Sequence, residues 1–178
     1  MEKNRMEAFS DGVMAIIITI MVLELKVPHA ADLAAIKPKL PVFLSYVLSY
    51  LYVGIYWNNH HHMLHSTRHV NGAILWANLH LLFWLSLFPF TTGWMGENHL
   101  APTPTAVYGA VLLLAAIAYY ILQRTIVAQQ GPKSALAAAI GKDWKGKMSP
   151  VIYLLAVPVA FVSPWIACGL YLFVALVW

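Results

Sequence analysis

Cysteine is nearly absent from this chain: Cys168 is the only one in 178 residues and it sits inside an apolar run. An intrachain disulfide and any multi-cysteine metal site are therefore excluded. Charge is scarce too, at 10% of residues against 61% hydrophobic, which excludes an ordinary soluble domain and makes a polytopic membrane protein the default. No hydroxyl or thiol nucleophile stands with a base and an orienting group at a usable spacing, and no glycine loop could cradle a phosphate. Enzyme chemistry of the soluble kind has no support. A glycine-rich TVGYG-like loop, which builds ion filters from backbone carbonyls, is also missing, so any ion would have to pass between side chains. No internal repeat or low-complexity tract appears.

What is present is a series of apolar spans, which predicts one all-α transmembrane domain over residues 1–178. The spans run over about 4–27, 42–63, 70–95, 105–127, 150–163 and 164–178. The first, about 35 Å long as a helix, is closed by Glu24, Lys26 and Pro28. Pro41 is placed to begin the second helix, after a proline-bearing connection with a short helical turn at about 30–36. The second span carries Tyr46, Tyr50, Tyr52, Tyr56 and Trp57, a load that belongs at an interface or against protein. The fourth, rich in alanine and leucine, has the plainest lipid-facing composition. A basic connection follows it, helical around 134–140. The last stretch, from Pro150 to Trp178, reads as two short helices turning near Ser163 and Pro164.

Six spans put both termini on one side. That side holds Lys3, Arg5, Arg68, Arg124, Lys133, Lys142, Lys145 and Lys147, against Lys26, Lys37 and Lys39 on the other. Basic residues concentrate on the cytoplasmic side, which places the N-terminus there. The net charge of +4 belongs to these connections and is a topology signal, so no nucleic-acid partner is expected. The first span mixes acids into its head and lacks a small-residue cleavage site, unlike a cleaved signal peptide.

The first span is the one around which the chain is organised. Ile16, Thr19, Ile20 and Leu23 fall at i, i+3, i+4, i+7 and form one stripe. Such a stripe either packs as core or lines a narrow passage, and its periodicity does not choose between them. Ser10 and Asp11 lie just inside the helix, where a carboxylate needs a partner; Arg5, the histidines ending the second span, and Trp76 or Asn78 are the candidates. The alternative is an anchoring arginine and a polar helix start.

His60, His61, His62, His65 and His69 form the densest titratable cluster. The i, i+4 spacing of His61 with His65 and of His65 with His69 is that of a metal-binding helix face, as in one box of a membrane di-iron oxygenase. Several boxes are needed for such a centre, and the remaining histidines are only His29, His80 and His99. Hydrogen-bonded structural histidines, one or two of them donating to Asp11, are favoured; no metal and no cofactor is expected.

These residues carry a resemblance. Arg5, Phe9, Ser10 and Asp11, followed by Ala15, Ile16 and Thr19, resemble the RxxxFSD motif of the lysosomal potassium channel family, in its bacterial branch. Tyr56-Trp57-Asn58-Asn59-His60-His61 resembles that family's YWxxHH ending of the second helix, and 76–79 with 86–90 resembles its third. The resemblance covers essentially the whole chain. It implies a homotetramer of six-helix subunits in a bacterial inner membrane, permeable to potassium and other monovalent cations, with no enzymatic activity. It places Ile16 as the narrowest ring of a pore lined by the first helix, with Thr19, Ile20 and Leu23 beyond it. It assigns Arg5, Phe9, Ser10, Asp11, Trp57, His60, His61, Trp76 and Asn78 to a network that fixes the pore helix without touching the ion. His65, His69 and His80 depart from the motif. The alternatives are a proton-conducting or proton-coupled protein using Asp11 and the histidines, a histidine-box metalloenzyme, and a non-conducting scaffold.

Overall fold

A computed structural model describes residues 3–28, 31–67, 69–131, 133–141 and 144–178. His29, Arg68 and Lys142, which enter the histidine and charge arguments, lie outside the described residues. The described residues form helices α1 (Lys3–Leu23), α2 (Leu40–His65), α3 (Gly72–Ser86), α4 (Phe88–Glu97), α5 (Pro102–Gln130), α6 (Ala135–Gly141), α7 (Trp144–Val162) and α8 (Pro164–Val177), with a 3₁₀ segment Leu33–Lys39 before α2. Prolines stand in the first turns of α2, α4, α5 and α8, where a missing N–H costs nothing. Side-chain oxygens of Asp32, Asn71 and Ser163 accept from backbone N–H groups at the starts of the 3₁₀ segment, α3 and α8.

Two boundaries differ from expectation. The third span is not one helix over 70–95 but breaks at Leu87 into α3 and α4. Pro89 is the reason: it has no N–H for the Leu85 carbonyl, and its ring would clash there. The helix restarts when the Thr91 N–H bonds to the Leu87 carbonyl at 3.0 Å. The penultimate helix starts at Trp144 instead of Pro150, and it carries both Pro150 and Pro158 inside it. Its first turns are tied to the C-terminus, since Lys145 Nζ donates to the Val177 carbonyl at 2.6 Å and the Trp178 indole donates to Ser149 Oγ at 2.8 Å. The turn between α7 and α8 is at Ser163, in extended backbone (φ −154°, ψ 103°).

Among the described residues five stretches are long and apolar enough to cross a membrane: α1, Leu33–His65, Gly72–Glu97, α5 and α7. With 14 residues, or about 21 Å, α8 is shorter and runs back along α7. Both described chain ends lie at one end of the bundle. Lys3 Nζ donates to the His65 carbonyl at 3.3 Å, and Trp178 shares a groove with Asn59, His62 and Ser66 at the end of α2. At the other end Lys26 pairs with Glu97 at 2.9 Å.

The hub of the bundle is α5, packed by α3, α4, α7 and α8. Reading it as the plainest lipid-facing helix was therefore wrong: Leu112, Ala115, Ala118, Leu122 and Ile126 are completely buried. Its alanines and Gly109 are what allow neighbours to come close, as small residues do wherever helices associate in hydrocarbon. A Cβ at Gly109 would overlap the Tyr171 hydroxyl. Around α5 lies a buried tyrosine core, with hydroxyls satisfied internally. Tyr52 donates to the Tyr171 carbonyl at 2.6 Å, Tyr153 to the Tyr52 hydroxyl at 3.2 Å, and Tyr171 to the Thr105 carbonyl at 3.2 Å. Tyr108 and Ser49 share a hydrogen bond at 3.0 Å, and Ser49 another with Thr92 at 2.6 Å.

Candidate pore face and its anchor

Within the chain, α1 packs against α2, α3 and α4 through one face. That face is Met6, Ser10, Met14, Ile17 and Met21, all buried and spaced by three or four residues. Unbranched methionines fill the irregular gap left where three helices meet. The opposite face carries Arg5, Phe9, Gly12, Ile16, Thr19, Ile20 and Leu23, all exposed. Ile16 is 58% exposed and Leu23 76%, high values for branched aliphatics at helix positions. The structure thus leaves the whole Ile16, Thr19, Ile20, Leu23 stripe uncovered by its own chain. The Thr19 hydroxyl donates to the Ala15 carbonyl at 2.9 Å, so its proton is used along the helix and its lone pairs stay available outward.

Beneath the packed face is a buried polar chain with one residue from each of three helices. Asn78 Nδ2 on α3 donates to Ser10 Oγ on α1 at 2.9 Å, and Ser10 Oγ donates to the Met6 carbonyl at 2.8 Å. Asn78 Oδ1 lies 2.7 Å from His60 Nε2 on α2. An amide oxygen only accepts, so with the asparagine in this orientation His60 Nε2 is the donor. His60 Nδ1 is buried and has no partner among the described residues. Serine, histidine and asparagine are each at most 1% exposed. In hydrocarbon such groups have no water to turn to, so each fixes the others.

Asp11 is not part of this chain, contrary to expectation. Its Oδ1 accepts from the Trp57 indole N–H at 3.0 Å, and among the described residues none of Arg5, Trp76, Asn78 or the histidines bonds to it. The cause is helical phase. One residue past Ser10 turns the side chain by about 100°, away from α3 and toward the flank of α2. Arg5 and Trp76 are not brought to the network either: both are exposed, Trp76 by 75%. Phe9 lies on the bare face, 55% exposed. His61 Nδ1 meets Glu7 Oε1 at 3.2 Å. Glu7 was missed in the sequence, although Lys3, Glu7 and Asp11 at i, i+4, i+8 mark one face. The His61 ring stacks between Trp57 and His65, 6.2 Å from each. Among the described residues no three His, Cys, Asp or Glu side chains converge as metal ligands.

The segment holding α1, the anchor and α3 is also where family likeness falls. The family model described as endosomal/lysosomal potassium channel TMEM175 matches residues 5–89. A protein from a Chryseobacterium species, named as a potassium channel, is 54% identical over 178 residues, covering 100% of this chain and 93% of that one. The chain belongs to the TMEM175 potassium channel family. It is a family of multi-pass membrane ion channels, not of enzymes. A Chamaesiphon minutus relative named as a potassium channel is 30% identical across 94% of this chain and 89% of its own. The crystal structure of a lysosomal potassium-selective channel TMEM175 homolog from Chamaesiphon minutus superposes with a TM-score of 0.87 at 29% identity, covering 98% of this chain and 95% of that one. The bovine member, named as an endosomal/lysosomal proton channel, is 30% identical over 79% of this chain but only 33% of its own length.

Proposed function

We propose that this chain forms a homotetrameric, potassium-permeable cation channel in a bacterial inner membrane, with α1 of each subunit around the axis. The observation that carries the reading is the bare face of α1. Half of that helix packs on its own subunit, while the other half presents Ile16, Thr19, Ile20 and Leu23 together with Gly12 and Arg5. Lipid would accept the aliphatics but gains nothing from a hydroxyl and an arginine in line with them. Four such faces turned toward each other make a narrow apolar passage with Ile16 as its tightest ring and Ile20 and Leu23 as further rings. The six-pass topology has the N-terminus in the cytoplasm, supported by the gathering of both described chain ends, with Lys3 and Lys145, at one end of the bundle.

A ring of isoleucines offers no dipoles to replace an ion's hydration shell. It gates by dewetting, opens only by widening, and passes partly hydrated cations, so potassium is preferred over sodium weakly to moderately. The permeant ion is the only small partner required. Glu24, exposed just past Leu23, concentrates cations at the outer mouth. The test is ion flux through purified protein in liposomes under a potassium gradient, comparing wild type with Ile16→Asn. The substitution is expected to change rate or selectivity, while unchanged flux would remove α1 from the axis.

Proton conduction is the second reading, favoured by the buried Ser10–Asn78–His60 chain and by the name of the bovine relative. Currents that reverse with the proton gradient instead of the potassium gradient would establish it. The histidine-box enzyme finds no converging ligand set among the described residues.

A further inference from the structure

On the side of α2 turned away from α1, a groove of about 300 Å³ opens at the end of the bundle that holds both described chain ends. Helix α1 meets α2 at Trp57 and His61, whereas the groove meets it at Asn59, Met63 and Ser66, on the opposite helical face. The groove therefore lies apart from the candidate pore. Its floor is apolar, made by the buried Met63, Leu136 and Ile140 and by the rings of Tyr119 and Trp178. Both rings are held in place: the Trp178 indole donates to Ser149 Oγ at 2.8 Å, and the Tyr119 hydroxyl to the Asn59 carbonyl at 3.3 Å.

One wall carries Gln123 of α5, which is only 9% exposed. Its amide has no hydrogen-bond partner among the described residues. His60 Nδ1 and Thr105 Oγ1 are also unpartnered but sealed from solvent, whereas the Gln123 amide opens onto the groove. A leucine would pack at this position without leaving a polar group to satisfy, so the amide needs a reason. Water alone is a poor one. A site built for water supplies several polar partners, and here an amide stands over aromatic rings and aliphatic chains. The opposite wall adds His62 and Asn59, whose Nδ2 is used on the Ile55 carbonyl at 2.9 Å, leaving its amide oxygen as an acceptor.

We propose that this groove is a binding site for an aminopurine, with Gln123 reading its edge. A carboxamide presents a donor and an acceptor side by side, which matches the adjacent acceptor nitrogen and amino group of adenine. The two rings and the apolar floor suit a flat fused heterocycle, since every base has a face that stacks on aromatic side chains. An apolar pocket with a few placed polar groups is the usual form of a small-molecule site. The part of the ligand held in the groove is uncharged, because none of the described lining residues is a lysine, arginine, aspartate or glutamate. Lys145, which touches the end of α8 beside Trp178, has its ammonium on the Val177 carbonyl at 2.6 Å.

The test is equilibrium dialysis of adenine against the full-length protein in nanodiscs, with purine, which lacks the amino donor, as the comparison. Adenine is expected to bind saturably and about tenfold more tightly than purine. Gln123→Leu brings adenine down to the level of purine and leaves the melting temperature unchanged, because no bond within the protein is lost. Trp178→Ala weakens both ligands alike. Photolabelling of the wild type with azidoadenine is expected to mark Trp178 or the stretch from Asn59 to Ser66, so the location does not depend on any variant folding. Adenosine and its monophosphate, run in parallel, tell a nucleoside from a nucleotide as the source, and equal binding is expected. The proposal is overturned by absence of saturable adenine binding, by equal affinity for purine, or by a preference that survives Gln123→Leu. A melting temperature lowered by Gln123→Leu overturns it as well, since the amide would then serve the fold, and so does a label placed elsewhere. None of these readouts uses ion flux, so the site and the channel reading stand or fall separately.

Discussion

Helices α1 and α5 are both long and apolar, yet they hold opposite places in the bundle. By composition α5, with its alanines and leucines, belongs in lipid, and α1, with a polar start and branched aliphatics, fits a core or a narrow passage equally. The structure has α5 wrapped by four helices and α1 covered on one face only. In a membrane the solvent is as apolar as the core, so burial follows how closely backbones can approach and where polar groups find partners, not hydrophobicity. Alanines and Gly109 give α5 that close approach, while α1 is held by Met6, Met14, Ile17 and Met21 around a single buried serine.

The sharpest way to break this comparison is to truncate one aliphatic on each helix. Leu112→Ala, at a completely buried site on α5, is expected to cost about 3 kcal/mol of stability through the cavity it leaves. Ile16→Ala, on the bare face of α1, is expected to cost less than about 0.5 kcal/mol per subunit while altering flux. Thermal unfolding in detergent, read beside liposome flux, separates the two; equal losses of stability would show that α1 and α5 are packed alike.

Asn78→Ala removes the amide that serves both Ser10 and His60, and a loss of about 2 kcal/mol is expected from stranding their polar atoms in hydrocarbon. The companion Asn78→Ala with Ser10→Ala and His60→Leu removes all three polar groups and should recover part of that loss. If the triple variant unfolds as early as the single one, the chain is not what anchors α1. Gly109→Ala comes next, at about 1 to 2 kcal/mol, because the added methyl meets a Tyr171 hydroxyl that is itself tied to the Thr105 carbonyl. Tyr171→Phe in that background frees the space. A melting temperature unchanged by Gly109→Ala would mean that α5 does not depend on close approach there.

Several particulars of the fold could be read from residues alone. Prolines marked the starts of α2 and α8, and Ser163-Pro164 marked the final turn, because proline excludes a backbone donor wherever it stands. The same rule applied to Pro89 would have divided the third span, and there the long apolar run concealed it. Of the candidate network, Ser10, His60 and Asn78 meet one another and Asp11 meets Trp57, but His61 goes to Glu7, which lies outside it. Adjacent residues on a helix face different neighbours, and the phase between two helices is set by the packing of whole faces, which no motif spells out. Lys26 shows the same limit at the surface. The Glu97 carboxylate raises its pKa above the ordinary lysine value, although Glu24 is the acid beside it in the chain. That pairing is fully present below the ordinary lysine pKa, neutrality included, and is lost only as pH rises through the raised one.

The sequence by itself determined that this is a helical membrane protein of the potassium channel family, where its apolar spans fall, and which residues of α1 share a stripe. Helical period and the cost of unpaired backbone in hydrocarbon suffice for the spans and the stripe, while the family rests on the resemblance of the Arg5-to-Asp11 and Tyr56-to-His61 motifs. Only the tertiary structure decided that the stripe is bare, that α5 is the hub, and that a histidine faces Glu7. Those outcomes depend on which surfaces fit closely together, and in an apolar solvent fit is a property of three-dimensional shape that composition does not carry.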